Sequence, residues 1–314
     1  MRQYIMRRLL LMVPVLLLIT VAVATLMRMV PGDPATLALG QAASEKDRQA
    51  FRKAYHLSDP LPVQYAHWWN EVLHGNLGSS VVHRTTVTSE LRSRLPSTLE
   101  ILVLGVVFTV LIGVPLGVLS AVKQNSGWDY AIRVFSIGGQ SVPGFWLGTL
   151  VLILPAIWWN YLPPLGKVSL FDNPTKNLQQ YYLPALVLAV GGSAGIMRFT
   201  RSSVLEVLRN DYVRTAHAKG LVERRVILTH VLKNALIPVV TIVGLQIATL
   251  FGGTVILETI FNLPGIGLLF IDSIFTRDYP VIQGLTFFLA VVLLFVNLAV
   301  DLSYAWLDPR IRYA

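Results

Sequence analysis

The chain carries few side chains whose type and spacing could catalyse a reaction. Its six histidines all lie outside the apolar runs or at their margins: His56, His67, His74, His83, His217 and His230. No H-E-x-x-H pair and no cysteine occurs, so neither a zinc-protease motif nor a thiolate ligand set is available. We therefore expect no catalytic residues, no metal site and no cofactor in this chain, and a membrane enzyme is a remote alternative.

The acidic residues of the apolar runs lie near the ends of those runs. Glu258 and Asp301 are not at mid-membrane, where proton-coupled transporters place acids and histidines. There is also no G-x-x-x-x-G-K-[ST] loop and hence no Walker-type nucleotide site. A transporter that lacks both a proton relay and a nucleotide site needs an outside source of energy. Three polar residues are candidates for lining a pathway: Gln140, Ser141 and Gln246.

A basic segment later in the chain has the pattern of a short helix with defined ends. Asn210 or Asp211 can cap a helix start, and Gly220 stands where the helix would stop. Small residues between them leave a slim helix that could enter a groove: Thr215, Ala216 and Ala218. The same composition is typical of a solvated loop on the positive side of a membrane. A DNA-reading helix-turn-helix is the other formal alternative, which confinement at the bilayer opposes.

Composition places these residues in a membrane protein. Of 314 residues, 54% are hydrophobic and only 14% are charged, against roughly 25% charged in ordinary globular chains. The mean hydropathy is +0.60. Soluble domains of this length would lack the polar side chains to cover their surface, so the net charge of +9 is interpreted as membrane topology and not as nucleic-acid binding.

Six apolar runs approach the roughly 20 residues that a membrane-spanning helix needs. They are residues 9–27, 101–122, 134–159, 183–197, 235–261 and 285–300. The fourth is short and needs flanking residues or tilt to span. Prolines within the runs predict kinks or helix ends, among them Pro143 and Pro184.

The distribution of basic residues predicts the orientation. Fifteen Lys or Arg residues lie in the short segments that six crossings place on the side of the N-terminus, against three in the short connections opposite. The positive-inside rule makes the first side cytoplasmic, with both termini there. The first run is expected to stay as an anchor, although Ala22-Val23-Ala24 resembles a signal-peptide cleavage site.

Pairs of glycines at one-turn spacing occur in three of the runs. Such pairs let helix backbones approach closely, either within the chain or across a dimer interface. The pairs are Gly113 with Gly117, Gly144 with Gly148, and Gly191 with Gly195.

A series of ordered motifs resembles the membrane-spanning permease subunits of bacterial ABC importers in the dipeptide/oligopeptide/nickel group. The resemblance covers essentially the whole chain. The matching stretches include Pro31-Gly32-Asp33-Pro34, Arg94-Leu95-Pro96-Ser97-Thr98-Leu99, Ser141-Val142-Pro143-Gly144-Phe145-Trp146, Tyr212-Val213-Arg214-Thr215-Ala216-His217-Ala218-Lys219-Gly220-Leu221, Asn234-Ala235-Leu236-Ile237-Pro238, Glu258-Thr259-Ile260-Phe261-Asn262-Leu263-Pro264-Gly265-Ile266-Gly267 and Leu307-Asp308-Pro309-Arg310-Ile311-Arg312.

The resemblance implies an all-α polytopic membrane protein with six transmembrane helices and the type I ABC importer permease (MetI-like) fold. The implied partners are a second homologous permease, two ABC ATPase subunits that hold ATP and Mg, and an extracytoplasmic binding protein. The implied cargo is a dipeptide or oligopeptide, with nickel or a metal chelate as the alternative. The implied location is the bacterial cytoplasmic (inner) membrane, and no nucleic acid is expected as a partner.

The same resemblance implies two groups of site residues. The first, here named the coupling segment, would contact an ATPase subunit and comprises Arg214, Thr215, Ala216, His217, Ala218, Lys219, Gly220 and Leu221. It matches the superfamily's EAA pattern only in part, with agreement at Ala216, Gly220 and Leu232 and departures at Arg214, Thr215, His230 and Lys233. The second group would lie at the outer gate or the binding-protein side: Glu258, Phe261, Pro264, Gly265 and Asp278.

The predicted organisation along the chain is linear. It consists of an N-terminal anchor helix (1–30), an extracytoplasmic segment (31–97), a permease core with five transmembrane helices (98–306) that contains a cytoplasmic coupling loop (201–233), and a cytoplasmic tail (307–314).

Overall fold

The computed structural model describes residues 2–29, 33–40 and 43–307, and these residues form helices joined by turns and loops, with no strand among them. The all-α prediction is confirmed. The helices are α1 (Arg2–Met29), α2 (Pro34–Leu39), α3 (Glu45–Ala54), α4 (Leu61–Leu73), α5 (Val87–Val122), α6 (Gly127–Ser141), α7 (Gly144–Trp159), α8 (Pro174–Leu208), α9 (Asp211–Ala218), α10 (Glu223–Arg225), a π-helical segment (Val226–Val231), α11 (Leu232–Ile260), α12 (Ile266–Thr276) and α13 (Tyr279–Leu307).

Five stretches of the described chain are long and apolar enough to cross a membrane. They are Tyr4–Met29, Val87–Val122, Pro174–Leu208, Glu223–Ile260 and Tyr279–Leu302. The short fourth run is extended as we expected, because it lies inside the 35-residue helix α8. The chain passes through Pro184 without a break in that helix.

The third predicted run is not one straight helix. It forms α6 and α7, which are bent by 98° at a break between them. Pro143 explains the break, since proline has no N–H to donate and disfavours helical backbone in the residue before it. Val142 is accordingly extended, with φ −83° and ψ 123°. The predicted six spans are present when this bent pair is counted as one.

The structure divides into two compact units. Among the described residues, the first contains those up to Ser97 together with Pro264–Leu298, and the second contains Thr98–Leu263 with residues 299–307. The units therefore group the chain differently from the linear division, because residues 264–298 join the N-terminal part. Most of the predicted cytoplasmic tail, 308–314, lies outside the described residues.

The first unit is built on a small apolar core and two local ties. Val87, Leu91, Ile266, Leu269 and Leu285 are buried together.

Ser44 begins α3 by accepting a hydrogen bond from the Asp47 N–H at 3.2 Å, as its position before an acidic first turn predicts. Arg52 of α3 donates to Asp33 beside α2, with Nη2 2.7 Å from Oδ2. The Arg52 hydrogen bond holds the pKa of Asp33 below its ordinary value, so this carboxylate stays ionised.

Helix α8 forms the centre of the second unit, where it packs against α6, α7 and α11. Small buried residues on α8 let these neighbours approach: Ala185, Ala189, Gly192, Ser193 and Ala194. Gly113 and Gly117 of α5 also approach α8 closely. A Cβ on Gly117 would lie only 2.7 Å from the Met197 carbonyl oxygen. This glycine pair therefore serves packing within the chain.

Candidate functional site

The coupling segment forms the short helix that its sequence predicts. Helix α9 begins after Asn210, whose backbone oxygen accepts from the Val213 N–H at 3.0 Å. It ends before Gly220, which has φ +78°. Side-chain-bearing residues rarely adopt that left-handed conformation, so glycine is the residue suited to this ending.

The two faces of α9 differ in exposure. Val213 and Ala216 are buried in an apolar cluster of the second unit, with Val204, Val226 and Ala235 among its members. The remaining residues are exposed from Asp211 to Gly220, including Arg214, Thr215, His217, Ala218 and Lys219. Ala216, which we expected to help the slim helix enter a groove, therefore faces its own chain. Its small size instead lets α9 lie close to its own chain, and the outward face is polar and basic.

A π-helical segment links this region to α11. Residues 226–231 form it, and the wider π turn is frequent at functional positions of helices. Asn234 ties α9 to the segment that follows, because its amide donates to the Tyr212 hydroxyl at 3.0 Å and to the His230 carbonyl at 3.2 Å. The coupling segment is thus attached to the start of α11 by polar contacts as well as by the apolar cluster.

A buried ion pair on the same unit was not predicted from the sequence. Asp129 of α6 is completely buried and accepts two hydrogen bonds from Arg201 of α8, at 2.9 Å each. Its carboxylate also accepts from Ser120 Oγ at 2.5 Å and from the Asn125 N–H at 3.0 Å. Asp129 therefore joins α5, the turn after it, α6 and α8. The one sequence signal was the spacing of Asp129 and Arg133, whose charged atoms are 3.5 Å apart.

Two of the three predicted pathway residues come together at Gly195. A Cβ on Gly195 would lie 3.8 Å from the amide nitrogen of Gln246 and 3.9 Å from that of Gln140. Gln246 donates to the Gly192 carbonyl at 2.7 Å, and its own Oε1 is buried with no hydrogen-bond partner among the described residues. Ser141 does not join them, because its exposed hydroxyl donates to the Ile137 carbonyl at 2.9 Å.

Ser193, close to this site, is not a nucleophile. The stretch from Gly191 to Gly195 has the letters of a G-x-S-x-G nucleophile motif, which needs a sharp strand-to-helix turn. Here it lies inside α8, and the Ser193 hydroxyl is fully buried and donates to the Val190 carbonyl at 3.1 Å. The geometry of a hydrolase site is therefore missing at this serine.

Of the predicted outer-gate residues, Glu258 and Phe261 belong to the second unit. Glu258 is fully buried near the end of α11, and its carboxylate accepts from the Thr98 hydroxyl at 2.7 Å. The Leu263 N–H donates to the Glu258 carbonyl oxygen at 2.8 Å, which closes the chain turn after the helix. Phe261 is buried as well, with 5% of its surface exposed. The burial and the hydrogen bonds of Glu258 thus fit a role in packing within the chain.

Pro264, Gly265 and Asp278 belong to the first unit. Gly265 precedes α12 with φ −101°, an ordinary backbone angle, so its role does not depend on glycine's conformational freedom. Asp278 is buried, and it accepts a short hydrogen bond from Ser80 and one from the Val81 N–H at 3.2 Å. These contacts hold the turn around residues 79–86 against the start of α13, a link that the sequence did not suggest.

The described residues contain no group of three or more metal-ligating side chains. What they present is a helical membrane protein with a bent pair of helices, two glutamines beside a glycine, and a short exposed helix that leads into a π-helical segment. These features define a polytopic membrane protein, since several helices are long and apolar enough to cross a membrane and an exposed helix is available to a partner.

The chain belongs to the family of binding-protein-dependent transport system inner membrane components. The model of that family matches residues 113–313, and the model of the N-terminal part of such membrane components matches residues 1–102. The chain is therefore a multi-pass permease subunit of an ATP-binding-cassette transporter and not an enzyme.

Relatives of the chain share its full length. It is 43% identical to the oligopeptide transport system permease protein AppB of Bacillus subtilis, over 100% of both chains. It is 40% identical to the dipeptide transport system permease protein DppB of Escherichia coli strain K12, over 100% of this chain and 99% of that protein.

Solved structures share the fold at low sequence identity. A chain of the inward-facing MetNI methionine ABC transporter matches with a TM-score of 0.55 at 16% identity, covering 70% of this chain and 97% of that one. An amino acid ABC transporter crystallised with histidines matches with a TM-score of 0.52 at 16% identity, covering 68% and 92%. The predicted type I importer (MetI-like) fold is confirmed.

Proposed function

We propose that this chain forms half of the membrane pathway of an ATP-driven importer of dipeptides or oligopeptides. The observation that carries the proposal is the 40–43% identity, over the full length, to permeases named for oligopeptide and dipeptide transport. A second, homologous permease would supply the other half, two ABC ATPases would supply the energy, and an extracytoplasmic binding protein would deliver the peptide.

The exposed face of α9 would receive an ATPase subunit. In the proposed cycle, ATP-driven closure of the two ATPases moves the coupling segments together and opens the pathway outward, and hydrolysis resets it. The buried contacts of Val213 and Ala216 support this role, because a helix that is tied to its own chain transmits a push instead of yielding to it. Arg214, His217 and Lys219 would supply the outward contacts.

The residues along the proposed pathway have separate roles. Gln140 and Gln246 would offer amide groups to the peptide backbone near Gly195, and Ser141, at the end of α6, would line the pathway apart from them. Glu258 and Phe261 in the second unit, and Pro264, Gly265 and Asp278 in the first, would act on the binding-protein side. Support for the glutamines comes from the buried Gln246 oxygen, because an unmade hydrogen bond is costly and favours a role in binding.

Uptake by cells that lack this chain tests the cargo. Labelled dipeptides and longer peptides should enter the deletion strain slowly, and the wild-type chain should restore their uptake, whereas nickel uptake should be equal in all strains. Direct binding of the same peptides to the cognate binding protein would locate the selectivity. Loss of nickel uptake with unchanged peptide uptake would favour the metal-importing alternative.

Single cysteines report the proposed orientation, since the chain has none of its own. Ser58→Cys and Lys123→Cys place a thiol at exposed positions, in the predicted extracytoplasmic segment and in a predicted cytoplasmic turn respectively. In intact cells a membrane-impermeant thiol reagent should label the first and spare the second until the membrane is permeabilised. Equal labelling of both would overturn the orientation with cytoplasmic termini.

Gly220→Val tests the end of the coupling helix. The position has open space around it but φ +78°, so the added side chain should cost roughly 1–2 kcal/mol through backbone strain. We expect a complex that reaches the membrane but imports little, with ATP hydrolysis no longer stimulated by the loaded binding protein. Gly220→Asn is the matched control, because asparagine tolerates the left-handed conformation and should keep most of the activity. Full stimulated hydrolysis in the Val variant would remove Gly220 from coupling.

A further inference from the structure

A basic groove lies between α6 and α8 in the second unit, and it shares no lining residue with the coupling segment or the glutamine pair. Its volume is about 650 Å³. Four arginines and two aliphatic residues form most of its lining: Arg133, Arg198, Arg201, Arg209, Ile137 and Leu205. The groove therefore combines cationic and apolar surface in one concavity.

The positive charge of the groove is only partly neutralised. Arg201 is paired with Asp129, and Arg133 lies 3.5 Å from the same carboxylate. Arg198 and Arg209 are exposed, and neither forms an ion pair with another side chain in the part of the chain that the structure describes. Glu206 is the one acidic side chain among the described lining residues. Two guanidinium groups thus remain available to an anion.

The spacing of the arginines follows the helix. Arg198, Arg201, Leu205 and Arg209 are three or four residues apart, so they share one face of α8. At a rise of about 1.5 Å per residue, this face runs for roughly 16 Å along the helix. Beside it on α6, Ile137 and Val134 are exposed by 62% and 69%. A cationic stripe bordered by exposed apolar side chains suits a ligand with a charged head and hydrocarbon tails.

We propose that this groove binds the phosphate of an acidic glycerophospholipid, with the acyl chains along Ile137 and Leu205. A planar guanidinium forms paired hydrogen bonds with phosphate oxygens, which explains arginine at these positions. A soluble phosphate could bind the same arginines. However, α6 and α8 belong to stretches that are long and apolar enough to cross a membrane, and a soluble ion would not contact the apolar side chains beside the arginines. The assignment to the cytoplasmic leaflet rests on the orientation proposed above.

Lipid retention by the purified, assembled transporter tests this site. The complex is placed in nanodiscs of phosphatidylcholine or of an equimolar mixture with phosphatidylglycerol, and bound lipid is measured by native mass spectrometry after release. The wild type should retain phosphatidylglycerol preferentially. The double variant Arg198→Gln/Arg209→Gln should bind it about 30-fold more weakly, since each basic residue near a membrane surface contributes a roughly fivefold preference. The control Lys123→Gln/Arg224→Gln removes two exposed charges outside the groove and should retain the lipid as the wild type does.

The other outcomes separate the sources of the anion. Displacement of phosphatidylglycerol by millimolar inorganic phosphate would overturn the lipid assignment in favour of a soluble anion. Equal retention by the groove variant and the control would overturn the site itself. Loss of ATPase subunits from the groove variant, with lipid retention unchanged, would show that the arginines contact a partner protein. Because binding is measured without transport, the result does not depend on the cargo, and thiol labelling of Lys123→Cys reports the leaflet separately.

Discussion

Arg201→Met is expected to destabilise the second unit by roughly 3–5 kcal/mol, because it leaves the Asp129 carboxylate charged and buried without its main partner. Asp129 is completely buried, and its remaining contacts are with Ser120, the Asn125 N–H and, at 3.5 Å, Arg133. These contacts do not replace a bidentate guanidinium. The loss of stability should appear as a lower unfolding temperature of the detergent-purified complex and as a smaller amount of this protein in the membrane.

Two further variants make this expectation specific. Arg224→Met removes the same charge from an exposed residue of α10 and should leave the unfolding temperature nearly unchanged. The double variant Asp129→Leu/Arg201→Met removes both charges and should recover much of the stability, since apolar replacement of a buried ion pair is often neutral. If Arg201→Met unfolded like Arg224→Met, or if the double variant were as unstable as the single one, the ion pair would not be what joins α6 to α8.

Among Gly→Ala substitutions at the glycine pairs of the spans, Gly117→Ala should be the most damaging. The new methyl group would lie 2.7 Å from the Met197 carbonyl oxygen and 2.7 Å from Thr200 Cβ, both closer than real contacts allow. Helices α5 and α8 would have to separate, at a cost of about 1–3 kcal/mol. We expect a reduced yield of folded complex after detergent extraction, measured by size-exclusion chromatography, and reduced uptake in cells.

Gly191→Ala provides the matched control for this experiment. The substitution is identical and lies in another of the predicted small-residue pairs, but no atom of a neighbouring element lies within 4 Å of the added group. This variant should fold and assemble as the wild type does. If both variants behaved alike, close approach of α5 and α8 at Gly117 would not limit folding, and the glycine pairs would need another explanation.

The sequence alone determined the features that depend on a few neighbouring residues. An apolar run forms a membrane-spanning helix when it is long and apolar enough, because a helix satisfies its backbone hydrogen bonds within itself. The ends of α9 and the start of α3 were equally predictable, since Gly220 and Ser44 act on the backbone within one turn. Pro143 predicted a break for the same local reason. The ordered motifs identified the family, which the full-length matches confirm.

Only the tertiary structure decided which distant residues meet. Asp129 and Arg201 are 72 positions apart, and Ser80 and Asp278 are 198 apart, so no local pattern could pair them. The inward position of Ala216 depends on which face of α9 the rest of the unit covers, and the helical spacing of its residues does not contain that information. Pro143 likewise predicted an interruption but not a bend of 98°, because the direction of the chain after a break is set by the helices against which α7 packs. Local sequence sets the backbone of each helix through nearby hydrogen bonds and sterics, whereas burial and charge pairing are properties of the assembled fold.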